Sequence, residues 1–181
     1  MSDIFTEITE KQKKWIRKQK IFFVSTSPLS ADGHVNCSPK GLDSFRVLGK
    51  TRVAYLDFVG SGVETISHIQ ENERICIMMC AFDGTPKILR LHGKGKVAFK
   101  GSMEYEEFMQ YFGNERSGIR SVIYVDVTRV SESCGYSVPI YQFVKDRDVL
   151  DKWIDRKGEA ALHKYVKTHN KQSIDGIPGV E

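Results

Sequence analysis

Apolar positions change period several times along the chain, and each change marks a new element. From Thr6 to Lys20 the residues Ile8, Trp15 and Ile16 fall on one stripe of a charged segment, which predicts an amphipathic helix with a Thr9…Gln12 capping box. Period two takes over from Ile21 to Ser27, Asp32-Gly33 marks a turn, and His34 to Pro39 returns, a hairpin with a long loop. Arg52 to Phe58 is an apolar run of strand length. Val63, Ile66 and Ile69 restore helical spacing between Val63 and Asn72, entered from Gly60-Ser61-Gly62. Two long strands, Arg74 to Phe82 and Lys87 to Phe99, flank the turn Asp83-Gly84-Thr85-Pro86.

Further on, Ser102 stands where it caps a helix running to about Phe112 that carries Met103, Phe108 and Phe112. Ser121 to Ser131 alternates Ile123, Val125 and Val127 with more polar neighbours, one more strand. Helices are expected over Val149–Ile154 and Glu159–His169, separated by Gly158, and Ser173–Gly179 reads as irregular. About six strands with short turns, a helical crossover and helices at both ends predict a mainly β fold with added α, a small antiparallel barrel. Neither a repeat nor a low-complexity linker divides the chain, so 1–181 reads as a single domain: helix 6–20, barrel 21–131 and C-terminal segment 132–181.

Composition narrows the function classes. With 181 residues, 40% of them hydrophobic, the chain can fill one core. Much of the net charge of +4 comes from Lys11, Lys13, Lys14, Arg17, Lys18 and Lys20, a solvated helix face without an interleaved aromatic platform for a nucleic acid, since the lone Trp15 belongs to the apolar stripe. No nucleic-acid partner is expected. No apolar run approaches the roughly 20 residues of a membrane helix and no signal peptide is recognisable, so the expectation is a cytoplasmic protein without a membrane partner. Cys37, Cys76, Cys80 and Cys134 match no zinc spacing and are expected as reduced thiols, with Cys76 and Cys80 on one strand face as small hydrophobes. No His/Asp/Glu set has metal spacing and no Ser or Cys lies in an activating motif, so no metal is expected. His34, His163 and His169 read as surface residues.

Two segments carry the candidate chemistry: Val35-Asn36-Cys37-Ser38-Pro39-Lys40-Gly41 and Asp57-Phe58-Val59-Gly60-Ser61-Gly62-Val63-Glu64-Thr65. Small polar side chains, one lysine and three close glycines at strand ends and a helix start are what a phosphate-bearing ligand needs if backbone N–H groups are to approach it. Ser61-Gly62-Val63-Glu64 also fits a capping box, in which the serine and glutamate satisfy each other's backbone.

In order and identity these residues resemble the pyridoxamine 5'-phosphate oxidase-like family of FMN-binding split barrels. The resemblance runs from about Phe22 to Val130 and rests on Asn36-Cys37-Ser38-Pro39-Lys40-Gly41, Ala54-Tyr55-Leu56-Asp57, Gly60-Ser61-Gly62…Thr65 and Ile69-Gln70-Glu71-Asn72-Glu73-Arg74. It implies a six-stranded antiparallel split β-barrel and a homodimer holding FMN at the subunit interface. By position, Asn36, Ser38, Pro39 and Lys40 would line flavin ring and phosphate, Tyr55, Leu56 and Asp57 would flank them, and Ser61, Gly62 and Thr65 would sit near the phosphate. Arg90 and His92 share a strand face that is either solvated, interfacial or in ligand contact. Arg120 is a cation for an anionic substrate, and Tyr136 is either a cover for the isoalloxazine or a core residue.

Two departures separate the chain from the vitamin B6 enzyme within that family. Glu64-Thr65 stands where those oxidases carry a basic pair, and Cys134–Pro139 shows no counterpart of their substrate-binding arginine and histidine. The resemblance therefore implies an FMN-dependent oxidoreductase acting on a small, unidentified substrate, with a non-catalytic flavin, deazaflavin or haem binding or storage protein as the alternative. A flavin takes a hydride or two electrons itself, so no catalytic constellation need be visible.

Overall fold

The computed structural model describes residues 3–113 and 116–180. Among these residues eight strands and five helices follow in the order β1 (Asp3–Phe5), α1 (Glu10–Ile16), β2 (Phe22–Thr26), β3 (Asn36–Lys40), β4 (Phe45–Val47), β5 (Arg52–Phe58), α2 (Glu64–Asn72), β6 (Arg74–Cys80), β7 (Ile88–Phe99), α3 (Met103–Met109), β8 (Ile119–Ser133), α4 (Val149–Lys157) and α5 (Glu159–His169). The strands form one antiparallel sheet, β3-β2-β6-β7-β8-β5-β4, with β1 added on β8.

The sheet curls on itself. Three strands separate β2 from β5 in that order. Even so, the Phe22 ring of β2 lies 5.4 Å from Tyr55 in β5 and 5.0 Å from Phe45 in β4. Such contact between the two ends of a sheet is what a split barrel requires. Its inside is filled by alternate residues such as Val24, Ile77, Leu91, Ile123 and Val125, closed by Ile66 and Ile69 of α2 and by Ile8 and Ile16 at the two ends of α1. A second apolar layer lies between α3 and the outer face of β5, β7 and β8, joining Ala54, Leu56, Ala98 and Val122 to Tyr105 and Phe108. Burial on both faces explains why β5 reads as a continuous apolar run rather than an alternation.

The register of β7 on β8 slips between His92 and Gly93, and a side chain at Gly93 would strike the Asp126 carbonyl. This bulge adds the local twist that the long β7 needs to curl.

Eight strands occur where the pattern shows about six. β1 and β4 have three residues each, too few for a period to register. The first helix is also shorter than its apolar stripe suggests. It ends at Ile16, and Lys18 and Gln19 close three-residue turns onto Trp15 and Ile16 (N···O 3.1 and 3.0 Å). The Thr9–Gln12 capping box is formed, and the Ser102 hydroxyl accepts from Tyr105 N–H at 3.1 Å. All four cysteines are free. Among the described residues no helix is long and apolar enough to cross a membrane. None of the described His, Cys, Asp or Glu residues cluster in threes that could hold a metal.

Candidate functional site

Alternation along β3 sends Asn36, Ser38 and Lys40 to one side and leaves Cys37 and Pro39 exposed on the other. Facing the first three are the end of β5 with Asp57 and Phe58, the start of β8 with Arg120, the loop Gly60–Val63, and Glu64 and Thr65 of α2. Together they surround a cleft of about 150 Å³, at the seam where the two ends of the sheet meet.

Asp57 organises the charge. It is only 1% exposed, yet Arg120 Nε donates to its Oδ2 at 2.6 Å and Nη2 to its Oδ1 at 3.4 Å. Ser121 Oγ donates to Oδ2 at 3.1 Å. Lys40 Nζ stands 3.7 Å from Oδ1, an ion pair beyond hydrogen-bond length. Burial pushes the Asp57 carboxyl up, but Arg120, then Lys40 and the hydrogen bonds, outweigh it and hold the group below the usual carboxylate range. Arg120 is fixed as well, since Nη1 donates to the Gly62 carbonyl at 3.0 Å. Among the described residues the Lys40 ammonium makes no hydrogen bond; it lines the cleft and lies 5.9 Å from the centre of the Tyr55 ring.

Tyr55 lies beneath this group, fully buried, and its hydroxyl has no partner among the described residues. Burial first, and the Asp57 charge second, push the phenol well above its ordinary value, against a smaller opposing pull from Arg120.

Behind the cleft runs a polar chain. Asn36 Nδ2 donates to Thr26 Oγ1 at 3.1 Å and to Thr65 Oγ1 at 3.0 Å, while Ser38 Oγ donates to Asn36 Oδ1 at 2.9 Å. Thr26 Oγ1, which accepts from Asn36, also shares a hydrogen bond with Nδ1 of the buried His68 at 3.0 Å. Burial holds His68 below its ordinary value despite Glu64, Asp175 and Glu71, consistent with a neutral ring. The carboxamide of Asn36 is thus locked from both ends.

Glu64 does not close a capping box with Ser61. The N-cap of α2 is Val63, without a side-chain cap bond. The Glu64 carboxylate instead accepts from Val63 N–H and, across the fold, from Ile174 N–H, both at 3.0 Å. The C-terminal tail supplies the competing donor, which no local pattern contains. The tail is also anchored by Asp175, which accepts from His34 N–H at 2.9 Å and pairs with His34 Nδ1 at 2.7 Å.

Of the residues singled out in the sequence, Asn36, Ser38, Lys40, Asp57, Gly62, Thr65 and Arg120 line the cleft. Ser61 is exposed on the adjoining loop, Tyr55 lies under Lys40, Leu56 points into the α3 layer, and Pro39 faces outward. Arg90 and His92 are on the outer face of β7, where Arg90 Nη1 donates to Ser133 Oγ at 3.1 Å and His92 Nε2 lies 4.0 Å from Cys76 Sγ. Burial, then Arg129 and Arg90, lower the His92 imidazole. Tyr136 is 84% exposed. Phe58, Gly60 and Val63 line the cleft without having been named as ligand contacts, Glu64 lines it where the sequence showed a departure from a basic pair, and the Thr26–His68 pair behind it was missed because its members are 42 residues apart.

A phosphate-sized anion fits these residues: the Lys40 ammonium lines the cleft, and the helix start and glycine loop adjoin it. Glu64 opposes such an anion, with its carboxylate turned onto two backbone amides. At about 150 Å³ the cleft is well under the roughly 300–1,000 Å³ of sites that enclose a whole organic ligand.

A family model described as pyridoxamine 5'-phosphate oxidase matches residues 8–134. A pyridoxamine 5'-phosphate oxidase family protein of Aspergillus flavus, ustO, is 36% identical, over 99% of this chain and 78% of its own length. Among solved structures, HupZ from Group A Streptococcus matches 68% of this chain and 91% of its own with 23% identity and a TM-score of 0.55. An FMN-binding protein from Syntrophomonas wolfei matches 74% of this chain and 84% of its own with 9% identity and a TM-score of 0.50. The two structural likenesses concern the fold.

Proposed function

Because the chain belongs to the pyridoxamine 5'-phosphate oxidase family, we propose that it binds flavin mononucleotide and acts in the cytoplasm as an oxidoreductase on a small substrate. The observation that supports this best is Lys40, whose ammonium makes no hydrogen bond among the described residues and lines a cleft of phosphate size beside a helix start. Lys40 holds the phosphate, Arg120 adds charge while keeping Asp57 in place, and the locked Asn36 and Ser38 present polar atoms along β3. The S. wolfei structure of similar fold is named an FMN-binding protein, which favours the same ligand here. When bound, the flavin supplies hydride or two-electron chemistry at its N5.

The cleft encloses only the phosphate end, so the ring system needs further cover. A second copy of the chain provides it in this reading, with the outward Arg90, His92 and Tyr136 available to a partner or substrate. The cleft lining contains no histidine or thiol, and both of its carboxylates are engaged. Since the flavin itself carries the electron chemistry, this lining is equally compatible with a second reading, a protein that holds the flavin without catalysis.

Mass spectrometry of the ligand released from freshly purified protein, followed by anaerobic addition of reduced nicotinamide, separates these readings. FMN near one per chain, with its visible band bleached, is the expected result. FAD, deazaflavin or haem would replace the cofactor assignment, a flavin inert to every donor would select the holder, and no ligand together with no uptake of added FMN would overturn both.

A further inference from the structure

A second, larger hollow of about 380 Å³ lies outside the cleft, between the end of α1, the start of β2, the β3–β4 turn and β4. Its floor is apolar: Ile16, Phe22 and Met79 are at most 3% exposed, and Phe45 and Val47 are half-buried around them. Its rim is basic. Arg46 is fully used, bound to the exposed Asp43 carboxylate (Nη2···Oδ2 3.1 Å) and to backbone carbonyls, so the one acidic group of the lining is paired and turned to solvent. Arg17 and Lys20 have no ion pair among the described residues, and Lys20 Nζ lies 5.5 Å over the Phe143 ring. The turn beside them carries two successive non-glycine residues in the left-handed region, Leu42 (φ 62°) and Asp43 (φ 52°). Leucine adopts that conformation at a cost, and such strain collects where a site is shaped.

Solvation alone accounts for two exposed cations at a helix end. It does not account for an apolar floor held open beneath them, with a volume in the range of small-molecule sites. We infer that this hollow binds a small organic anion with a flat apolar body, its carboxylate or sulfonate head between Arg17 and Lys20 and its body on Phe22, Phe45 and Met79. The head group is set by the unpaired charges and the body by the floor. None of the cleft-lining residues takes part, so the inference goes beyond the flavin reading and stands apart from it.

The test uses the purified full chain and two fluorescent probes, the anionic 8-anilinonaphthalene-1-sulfonate and the neutral N-phenyl-1-naphthylamine. One saturable site per chain is expected for the anion. The double variant Arg17→Gln/Lys20→Gln should weaken the anion by about tenfold and the neutral probe by less than about twofold. Val47→Trp, which fills the hollow, should remove both, and Lys40→Gln in the cleft should change neither. The inference is overturned by an anion that binds the double variant as tightly as the parent, or by binding lost with Lys40→Gln. Should a thermal melt show Val47→Trp unfolded, the charge variants, which alter only exposed side chains, decide alone; should it fold and still bind, the inference is overturned.

Discussion

Asp57 is a buried carboxylate whose ionised form depends on Arg120, and the residue-scale predictions start there. Arg120→Met leaves that charge with Lys40 alone and should cost about 3 kcal/mol in urea unfolding, because an uncompensated buried charge is worse than none. Adding Asp57→Asn should recover most of the loss. Tyr55 presents the converse case, a buried hydroxyl with nothing to bond. Tyr55→Phe should be neutral or stabilise the flavin-free protein by up to about 1 kcal/mol, read from the same unfolding curves. Lys40→Gln should weaken flavin binding by about tenfold or more in a fluorescence-quenching titration, since a charge-assisted contact to phosphate is removed. The lysine, asparagine and serine of β3 were named in the sequence through the family resemblance, together with Pro39, which strand alternation turns to the opposite face. That Arg120 pairs with Asp57 was not legible: the two lie 63 residues apart, and only the pairing of β5 with β8 brings them together.

At the scale of elements, local chemistry and local structure agree wherever an element is long or capped. The Thr9 capping box, the Ser102 cap and the break between α4 and α5 at Gly158, with φ 72°, follow from two or three neighbouring residues. The three-residue strands β1 and β4 carry no period of their own and exist because β8 and β5 offer them an edge. Glu64 makes the same point at a helix start: a motif that reads as a cap is diverted by a tail more than a hundred residues on. Gly93 sits at the register shift of β7 on β8, where the facing backbone leaves no room for a side chain. Gly93→Ala should destabilise the fold by about 1–3 kcal/mol, because the new methyl meets the Asp126 carbonyl across the bulge. Faster hydrogen exchange along β7 and β8 would accompany that loss, and an unchanged melting temperature would contradict it.

Across the whole molecule, the curl of the sheet and the docking of the C-terminal tail are coupled to charge. The Asp57 carboxyl is held below its ordinary value, so its contribution is present above the unfolded pKa of about 4 and lost as pH falls through the lower folded-state value. Asp175 has the same sign, lowered chiefly by its hydrogen bonds from His34. Acid titration of the melting temperature should therefore fall more steeply below about pH 4 for the parent than for Asp57→Asn. Hydrogen exchange at Ile174–Ile177 should rise in the same range as the tail loosens. The sequence by itself determined the periods, the caps, the main hairpins and the set of small polar residues able to face a phosphate, because each depends on spacing within a few residues. Only the tertiary structure decided that β3, the end of β5, the start of β8 and the first turn of α2 share one cleft. The reason is that closing the sheet brings its two ends together, and which charges then face each other depends on contacts between residues far apart in the chain.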